Sequence, residues 1–309
     1  MMTAPLVASA LPLPLWRRGK VREVYEVDAE RLLLVASDRV SAFDVVMTEA
    51  VPDKGRVLTQ LSAYWFQRLS SVTESHFLTA STAAILVELP ALEPFRDQIA
   101  GRAMLVRRTT PLAFECVVRG YLAGSAWAEY REHASLAGEP LATGLRESSA
   151  IEPPHFSPAT KAESGHDENI PFRQMRDALG ADLADGLRDV SLALYAAGRN
   201  QALERGLIIA DTKFEFGLTS AGRPMLIDEV LTPDSSRFWP TNGYAAGRPQ
   251  PSFDKQPLRD YLDSERRAGR WNGDAPPPPL PDTVIAATSE RYLDAFRRIT
   301  GAPLDRVDL

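Results

Sequence analysis

The sequence predicts an α+β protein with two lobes. Its 309 residues are 44% hydrophobic and 25% charged, a composition typical of a globular chain that can bury a sizeable core. Short strand patterns dominate the first hundred residues, whereas longer helical patterns follow from about residue 120. We therefore expect an antiparallel, β-rich N-terminal lobe over residues 1–113 and an α/β C-terminal lobe over residues 114–309.

The N-terminal lobe is predicted from alternating apolar residues with short connections between them. Residues 20–27 and 31–36 read as strands joined by an Asp-Ala-Glu turn, and residues 103–108 and 114–119 read as a second pair. Residues 57–70 show helical spacing of leucines and aromatic residues. Short connections favour antiparallel pairing.

The C-terminal lobe is predicted from a change in periodicity. A loop punctuated by Gly and Pro is expected over 136–158, and the region between residue 230 and the Pro276–Pro279 spacer reads as loop-rich. The predicted regular elements are a helix at 125–134, two helices within 174–205, a buried strand at 206–210 that continues into a hairpin, and a final amphipathic helix at 282–300.

The charge and the cysteine content of the chain argue against several classes of function. A net charge of −6 argues against a broad nucleic-acid surface, so any anion site must be a local group of Arg and Lys. The single cysteine, Cys116, excludes an intrachain disulfide and is expected to be a buried apolar residue. The apolar N-terminus lacks a preceding basic region, and no run approaches the ~20 apolar residues of a membrane span. We expect a cytoplasmic protein without membrane partners.

The stretch DTKFEFGLTSAGRPMLIDEV suggests a hairpin with an acidic face. Asp211, Lys213 and Glu215 alternate along one strand and so share a face. An even-length turn near Gly222 would put Glu215 directly opposite Asp228. Two facing carboxylates destabilise a sheet unless something offsets the repulsion, and they are a common seat for Mg²⁺ with phosphate oxygens. The alternative is an ordinary solvated hairpin face.

A basic turn near the N-terminus is a candidate phosphate site. Gly19 stands beside Lys20 and Arg22 at a strand–loop junction, where backbone N–H groups and cations can cover a phosphate tail. The spacing is not that of a Walker A loop. The alternative is an exposed basic strand.

Two arginine segments indicate a second anion site. A buried strand delivers Arg119 just before Ser125, the expected N-cap of a helix, and a helix N-terminus beside an arginine favours anions. Arg237 follows the acidic hairpin on a loop, and Lys255 and Arg259 add cations downstream. The alternative for the first segment is an ordinary strand–loop–helix junction.

The polar loop FSPATKAESGHDENI contains the dipeptide His166-Asp167. This pair fits an acid–base pair and equally fits a helix-capping turn. No spacing in the chain indicates a Ser-His-Asp hydrolase, a zinc site or a dinucleotide fingerprint.

Taken together, these segments closely resemble the SAICAR synthetase (phosphoribosylaminoimidazole-succinocarboxamide synthase) family. The matching stretches are colinear from about residue 19 to 262: GKVREVYEV, ASDRVSAFDVV, PDKGRVLTQLSAYWF, ECVVRGYLAGSAWAEY, FSPATKAESGHDENI, DTKFEFGL, LIDEVLTPDSSRFWP and SFDKQPLRDYL. The resemblance implies a two-lobed fold of this family, with an ATP-grasp- or kinase-like nucleotide cleft, and the longer, monomeric form.

The resemblance further implies an ATP-dependent ligase that joins carboxyaminoimidazole ribonucleotide (CAIR) and L-aspartate through an acyl phosphate, in de novo purine biosynthesis. Its implied site residues are as follows: Glu215 and Asp228 as Mg²⁺ ligands, Lys213 near the reacting carboxylate, Asp211 beside the ribonucleotide, Arg119, Ser125 and Arg237 on the 5′-phosphate, Lys255 and Arg259 in the substrate and aspartate region, and Gly19, Lys20 and Arg22 over the ATP phosphates.

Two other functions are weighed against the ligase. A small-molecule phosphotransferase would need fewer cations than this chain supplies. A non-enzymatic nucleotide-binding relic would not be expected to keep Asp211, Lys213, Glu215 and Asp228 together.

Overall fold

The structure, a computed structural model, describes residues 5–161 and 168–304. The chain divides into two compact units. Unit 1 comprises Met1–Phe66, His76–Arg108 and Phe253–Leu309, and unit 2 comprises Gln67–Ser75 and Thr109–Ser252. The domain boundary at residues 113 and 114 stays a prediction, and the C-terminal segment groups with the N-terminal residues in unit 1.

Fifteen strands are present in the described residues. They are β1 (Leu15–Arg18), β2 (Arg22–Glu26), β3 (Arg31–Ala36), β4 (Arg39–Ala42), β5 (Val45–Ala50), β6 (Phe77–Thr79), β7 (Ala103–Arg107), β8 (Thr110–Tyr121), β9 (Ser135–Leu136), β10 (Glu139–Pro140), β11 (Ala150–Phe156), β12 (Ala159–Thr160), β13 (Leu207–Leu218), β14 (Pro224–Ile227) and β15 (Ser236–Pro240).

Eight α-helices and one 3₁₀ segment accompany them in the same part of the chain. They are α1 (Lys54–Arg68), α2 (Thr82–Glu88), the 3₁₀ segment Pro90–Phe95, α3 (Arg96–Ile99), α4 (Gly124–His133), α5 (Phe172–Leu179), α6 (Ala181–Glu204), α7 (Gln256–Arg267) and α8 (Asp282–Thr300). None of these helices combines the length and the apolar run that a membrane span requires.

Unit 1 is built on a five-stranded antiparallel sheet in the order β1-β2-β3-β7-β6. The strands β4 and β5, which follow β3 in the chain, form a separate two-stranded sheet. The run Arg31–Ala36 is buried after its first residue, as expected for a central strand. Its turn from β2 is closed by Asp28, whose Oδ1 accepts the N–H groups of Glu30 and Arg31 at 2.9 and 2.8 Å. The strand pair predicted at this turn is therefore confirmed.

Unit 2 is built on a six-stranded sheet with the path β11-β8-β13-β14. β12 also pairs with β8, and β15 also pairs with β13. Helix α6 lies against the sheet, where the Tyr195 hydroxyl donates to the Ile209 carbonyl at 2.7 Å. Gly120 allows this approach, since a Cβ there would lie 1.9 Å from the Tyr195 oxygen. The two long strands β8 and β13 lie side by side in the middle of this sheet.

The α+β class predicted from the sequence is confirmed, whereas several local predictions were wrong. The expected loop at 136–158 contains β11, and the expected loop region after residue 230 contains β15 and α7. The prolines of Ala150–Phe156 argue against a central strand, and the structure places β11 at the end of the sheet path. Helix α7 carries only Leu258 and Leu262 as buried apolar residues, which weakens its periodic signal.

Candidate active site

The paired strands β8 and β13 carry the predicted chemistry of unit 2 on one face. Asp211 stands opposite Arg119, and Glu215 stands opposite Glu115, with Lys213 between these two pairs on β13. Residues 211, 213 and 215 share a face because side chains alternate along a strand. Four residues of strand span roughly 13 Å. The face therefore has an arginine–aspartate end and an end rich in carboxylates.

At the first end, Asp211 holds two guanidinium groups together. Arg119 Nη1 lies 3.2 Å from Asp211 Oδ2, and Arg237 Nη1 donates to the same oxygen. Arg119 also donates to Ser157 Oγ at 2.9 Å and Asn169 Oδ1 at 3.2 Å. Burial lowers the pKa of the Arg119 guanidinium, and the Asp211 carboxylate opposes this effect. The structure thus brings Arg119, Asp211 and Arg237 together.

Ser125 lies beside Arg119, but it is not the helix N-cap that the sequence predicted. Ala123 occupies the cap position and offers no side-chain acceptor, so Ser125 is the second residue of α4. Ser125 is an exposed residue, and its hydroxyl lies 3.5 Å from Arg119 Nη2. Gly124 precedes it with a φ of 55°, and a Cβ there would collide with the Arg237 guanidinium at 2.2 Å. Glycine at this position lets the helix start approach Arg237.

At the second end, two carboxylates face each other and two lysines neutralise them. Glu115 and Glu215 are cross-strand partners and are both buried. Lys213 Nζ lies 2.5 Å from Glu115 Oε1 and 3.6 Å from Glu215 Oε1, and Lys161 Nζ donates to Glu215. Like charges directly opposite destabilise a sheet, so the two ammonium groups offset a repulsion that the fold imposes.

The predicted partner of Glu215 was wrong by one residue. Glu215 pairs with Ile227 because the turn between β13 and β14 has an odd length: Thr219 N–H donates to the Arg223 carbonyl at 2.9 Å, which leaves three residues in the loop. Gly222 takes the left-handed conformation that such a loop needs. Asp228 follows the end of β14 with a φ of 68°. It is therefore not a cross-strand partner of Glu215.

Lys213 remains a cation in this setting. Burial alone would lower the pKa of its ammonium group, but Glu215, Glu115 and Asp228 together raise that pKa well above the usual lysine value. Glu215 and Glu115 are the two largest charge contributions, and Asp228 acts on the same group. An ammonium held this firmly acts as an electrostatic and hydrogen-bonding group, and it cannot serve as a proton acceptor near neutral pH.

The donor set at this end suits Mg²⁺ chemically. Within the ranges 5–161 and 168–304, no three His, Cys, Asp or Glu side chains form a ready metal cluster. Mg²⁺ does not require such a cluster, since it is commonly held by one or two carboxylates together with waters and substrate phosphates. Glu215, Asp228 and Glu115 supply hard oxygen donors of this kind.

The basic turn predicted to bind phosphate lies in unit 1, between β1 and β2. Gly19 N–H donates to the Arg22 carbonyl at 2.7 Å and closes the turn. Lys20 is exposed, and its ammonium lies 2.8 Å from Asp44 Oδ1. The strand predicted at residues 20–27 would have put Lys20 and Arg22 on one face, but Lys20 lies in the turn and only Arg22 belongs to β2.

Lys255 and Arg259 also belong to unit 1, at the start of α7. Lys255 is the residue before the helix, and Arg259 lies one turn later with its N–H bonded to the Lys255 carbonyl at 3.0 Å. Arg259 Nη1 is 2.5 Å from Asp254 Oδ2. The structure therefore groups these two cations with each other, whereas Arg119, Ser125 and Arg237 form their own group in unit 2.

Sequence reasoning missed three residues of the site: Glu115, Lys161 and Asn169. Glu115 had a usable signal, since it precedes Arg119 by four positions on one predicted strand and so shares its face. Lys161 and Asn169 flank a polar loop whose His166 and Asp167 lie outside the described residues. Cys116 is buried, as expected, and burial raises the pKa of its thiol to about 12. That thiol is inert at neutral pH.

The family model, the sequence relatives and the solved structures that resemble this chain all point to one family. The family model for SAICAR synthetase matches residues 15–276. The phosphoribosylaminoimidazole-succinocarboxamide synthase of Methylibium petroleiphilum is 52% identical over 301 residues, covering 96% of this chain and 99% of the relative. The protein of the same name from Leptothrix cholodnii is 50% identical over 306 residues, covering 97% and 100%. A solved SAICAR synthase from Saccharomyces cerevisiae, complexed with SAICAR, is 39% identical with a TM-score of 0.88, covering 96% of this chain and 99% of that one.

Proposed function

The chain belongs to the SAICAR synthetase family and is an ATP-dependent ligase of purine biosynthesis, and from this premise we propose which of its residues carry the reaction. The overall reaction joins CAIR and L-aspartate to give SAICAR, ADP and phosphate. The carrying observation is the shared face of β8 and β13, with a double arginine at one end and the Glu115–Glu215 pair at the other.

Arg119, Arg237 and Ser125 bind the 5′-phosphate of the ribonucleotide. Both guanidinium groups already converge on Asp211, which fixes their orientation. The first turn of α4 has no side-chain cap, so a phosphate oxygen can accept its N–H groups. Asp211 lies between this cluster and Lys213 along β13, which supports a position beside the ribonucleotide.

Glu215 and Asp228 hold Mg²⁺ together with the ATP phosphates. When bound, Mg²⁺ supplies charge stabilisation to the phosphoryl group in transfer. Glu115 and Glu215 carry the negative charge that attracts the ion, and Lys161 and Lys213 keep the cluster from excess negative charge. The carboxylates are buried, and electrostatic interactions there are stronger than in water.

Lys213 stabilises the carboxylate that reacts. Its raised pKa keeps the ammonium group charged, and its place between the two ends of the face suits a substrate that spans them. The γ-phosphoryl group of ATP passes to the CAIR carboxylate, ADP leaves, and the resulting acyl phosphate is attacked by the aspartate amine. A C–N bond forms, the amine loses a proton, and phosphate departs.

Unit 1 carries the remaining residues to which the family resemblance gives a role. The turn with Gly19 and Lys20, together with Arg22, covers the ATP phosphates, since a turn that carries cations can offer both backbone N–H groups and positive charge to an anion. Lys255 and Arg259 serve the substrate and L-aspartate region, because cations at a helix start suit a dicarboxylate.

The experiment that tests the reaction measures ADP release with CAIR, in the presence and absence of L-aspartate. The ligase requires aspartate for sustained turnover, with one SAICAR formed for each ADP. Sustained ADP release without aspartate, and no SAICAR, would instead identify a phosphotransferase.

We also propose a cytoplasmic monomer. The support is the resemblance to the longer form of the family and the single buried thiol, which forms no intrachain disulfide. Light scattering coupled to gel filtration tests the oligomeric state, and a dimer mass at micromolar concentration would refute it. Fractionation of the source cell tests the location.

A further inference from the structure

Three consecutive carbonyl groups of the β1–β2 turn are held by residues that follow β3. Arg39 donates from Nη2 to the Gly19 carbonyl at 3.0 Å and from Nε to the Lys20 carbonyl at 3.0 Å. Ser37 donates to the Val21 carbonyl from its N–H at 2.9 Å and from its hydroxyl at 2.8 Å. These hydrogen bonds to its carbonyl groups therefore fix the orientation of the turn.

This orientation decides where the N–H groups of the turn point. In a trans peptide the C=O and N–H bonds are antiparallel. The Gly19 and Lys20 carbonyls converge on one guanidinium, so the N–H groups of Lys20 and Val21, in the same two peptides, are directed away from it. Neighbouring N–H groups that face one way form a concave anion-binding surface.

Arg39 is itself fixed by a buried carboxylate. Its Nη1 lies 3.1 Å from Glu23 Oε1, and the Glu23 side chain is fully buried. The other oxygen of Glu23 accepts both the N–H group of Ser9, at 2.8 Å, and the Ser9 hydroxyl. Arg39 also donates to the Val7 carbonyl. The guanidinium thus cannot turn away from the loop without breaking several hydrogen bonds at once.

Residues 7–11, here called the N-terminal segment, connect this arrangement to the core of unit 1. Leu11 is buried in the cluster that contains Tyr25, Leu33 and Val35. The Ser9 hydroxyl lies 2.8 Å from the Tyr25 hydroxyl as well as on Glu23. A continuous series of contacts therefore runs from the N-terminal segment through Glu23 and Arg39 to the turn.

We propose that Arg39 is a positioning residue for the nucleotide phosphates: with Glu23 and Ser9 it holds the Gly19–Val21 turn in the form that presents its N–H groups to them. The inference rests on the proposed function, because the assignment of this turn to ATP belongs there. It adds that the N-terminal segment contributes to nucleotide affinity without touching the nucleotide.

The test compares Arg39→Lys with wild-type protein in four measurements: KM for ATP, KM for CAIR, kcat and Tm. Lysine keeps the positive charge but lacks the planar fork that reaches Gly19, Lys20 and Glu23 together. We expect KM for ATP, and the Kd of Mg²⁺–ATP measured by calorimetry, to rise about tenfold. KM for CAIR stays within about twofold, since its phosphate is assigned to unit 2.

Arg31→Lys is the matched control. Arg31 lies on β3 of the same sheet and pairs with Asp28 and Glu88. We expect both KM values and kcat to stay within about twofold of wild type and Tm to stay close to it. Ser9→Ala is a second test that leaves Arg39 in place and removes one hydrogen bond to Glu23. It should raise KM for ATP in the same direction by a smaller factor.

The outcomes separate this inference from the proposed function. A lower Tm in Arg39→Lys with unchanged Kd and KM for ATP would reduce Arg39 to a structural residue and overturn the inference. If Lys20→Met raises KM for ATP while Arg39→Lys and Ser9→Ala do not, only the inference fails. If all three leave ATP binding unchanged, the assignment of the turn to ATP fails with it. Should Arg39→Lys not fold, Ser9→Ala decides alone.

Discussion

Glu115 and Glu215 face each other directly across the β8–β13 pair, and two lysine ammonium groups keep them there. The sequence predicted Asp228 as the carboxylate opposite Glu215, whereas in the structure that carboxylate is Glu115, on β8. A fold that retains two buried, facing carboxylates carries a cost in stability. We expect a pair that is retained at such a cost to serve catalysis.

Replacing Glu215 by Gln, or Asp228 by Asn, should reduce kcat roughly 100-fold or more, the scale expected when one group that stabilises transition-state charge is lost. Circular dichroism should show a folded protein. Glu74→Gln is the control, since Glu74 lies in the same unit with 57% of its side chain exposed. Near-normal turnover in either variant would refute the metal assignment.

Replacing Glu115 by Gln should change the alkaline pH dependence. The carboxylates raise the pKa of Lys213, so its charge and the stability it contributes are complete below the ordinary lysine value and are lost only as pH rises through the higher folded value. Removal of Glu115 lowers that folded pKa. An alkaline loss of kcat/KM should then appear at lower pH than in wild type, in a profile from about pH 6 to about pH 10.

Glu132→Gln is the control for this experiment, because the Glu132 side chain is 75% exposed on α4. It should leave the profile of wild type unchanged. Identical alkaline limbs in wild type and Glu115→Gln would show that Glu115 does not shift the ionisation that limits activity at high pH.

Replacing Arg119 by Lys should raise KM for CAIR by about tenfold or more and change kcat little. The 5′-phosphate does not react, so its binding is equal in the ground and transition states, and lysine cannot reproduce the several hydrogen bonds of the guanidinium. Steady-state kinetics with each substrate varied in turn measures this. Arg173→Lys, on a side chain 91% exposed, is the control. A change in KM for ATP alone would mean that the two anion sites were exchanged.

Replacing Gly120 by Ala should lower the free energy of unfolding by about 1–3 kcal/mol, the usual effect of overpacking. The new Cβ would lie 1.9 Å from the Tyr195 hydroxyl and 2.9 Å from Cζ. Tyr195→Phe in the same chain removes the closer contact, so the double variant should be more stable than the sum of the two single effects predicts. Denaturant unfolding measures all three variants.

The control glycine is Gly186, within α6, where a Cβ would meet nothing within 4 Å. Gly186→Ala should gain about 0.5–1 kcal/mol through helix propensity. Strict additivity of Gly120→Ala and Tyr195→Phe would show that the Tyr195 hydroxyl does not cause the strain.

Local periodicity predicted much of the fold. The terminal helix was predicted at residues 282–300, the bounds that the structure has, and the strand at 31–36 was also confirmed. Two of the strands that were missed carry conflicting local signals: β11 contains Pro153 and Pro154, and β15 ends at Pro240. Proline disfavours a strand prediction, and only the tertiary setting shows that these positions tolerate it.

For the site, alternation predicted correctly that Asp211, Lys213 and Glu215 share a face, because it follows from strand geometry alone. The partner across the hairpin depends on the length of its turn, and one residue more or less moves every pair. The pairing of Glu115 with Glu215 joins positions a hundred residues apart. Local patterns contain no information on a contact of that range.

The division of the chain has a consequence for synthesis. All of unit 2 has been made once residue 252 is complete, whereas unit 1 also needs the last segment, in which Ser289 bonds to the Pro52 carbonyl and Tyr64 to the Ile299 carbonyl. On the ribosome, the middle of the chain can therefore reach its native contacts while the beginning still waits for the end. A nascent chain arrested just after residue 252 would expose the unfinished first unit to chaperones and proteases.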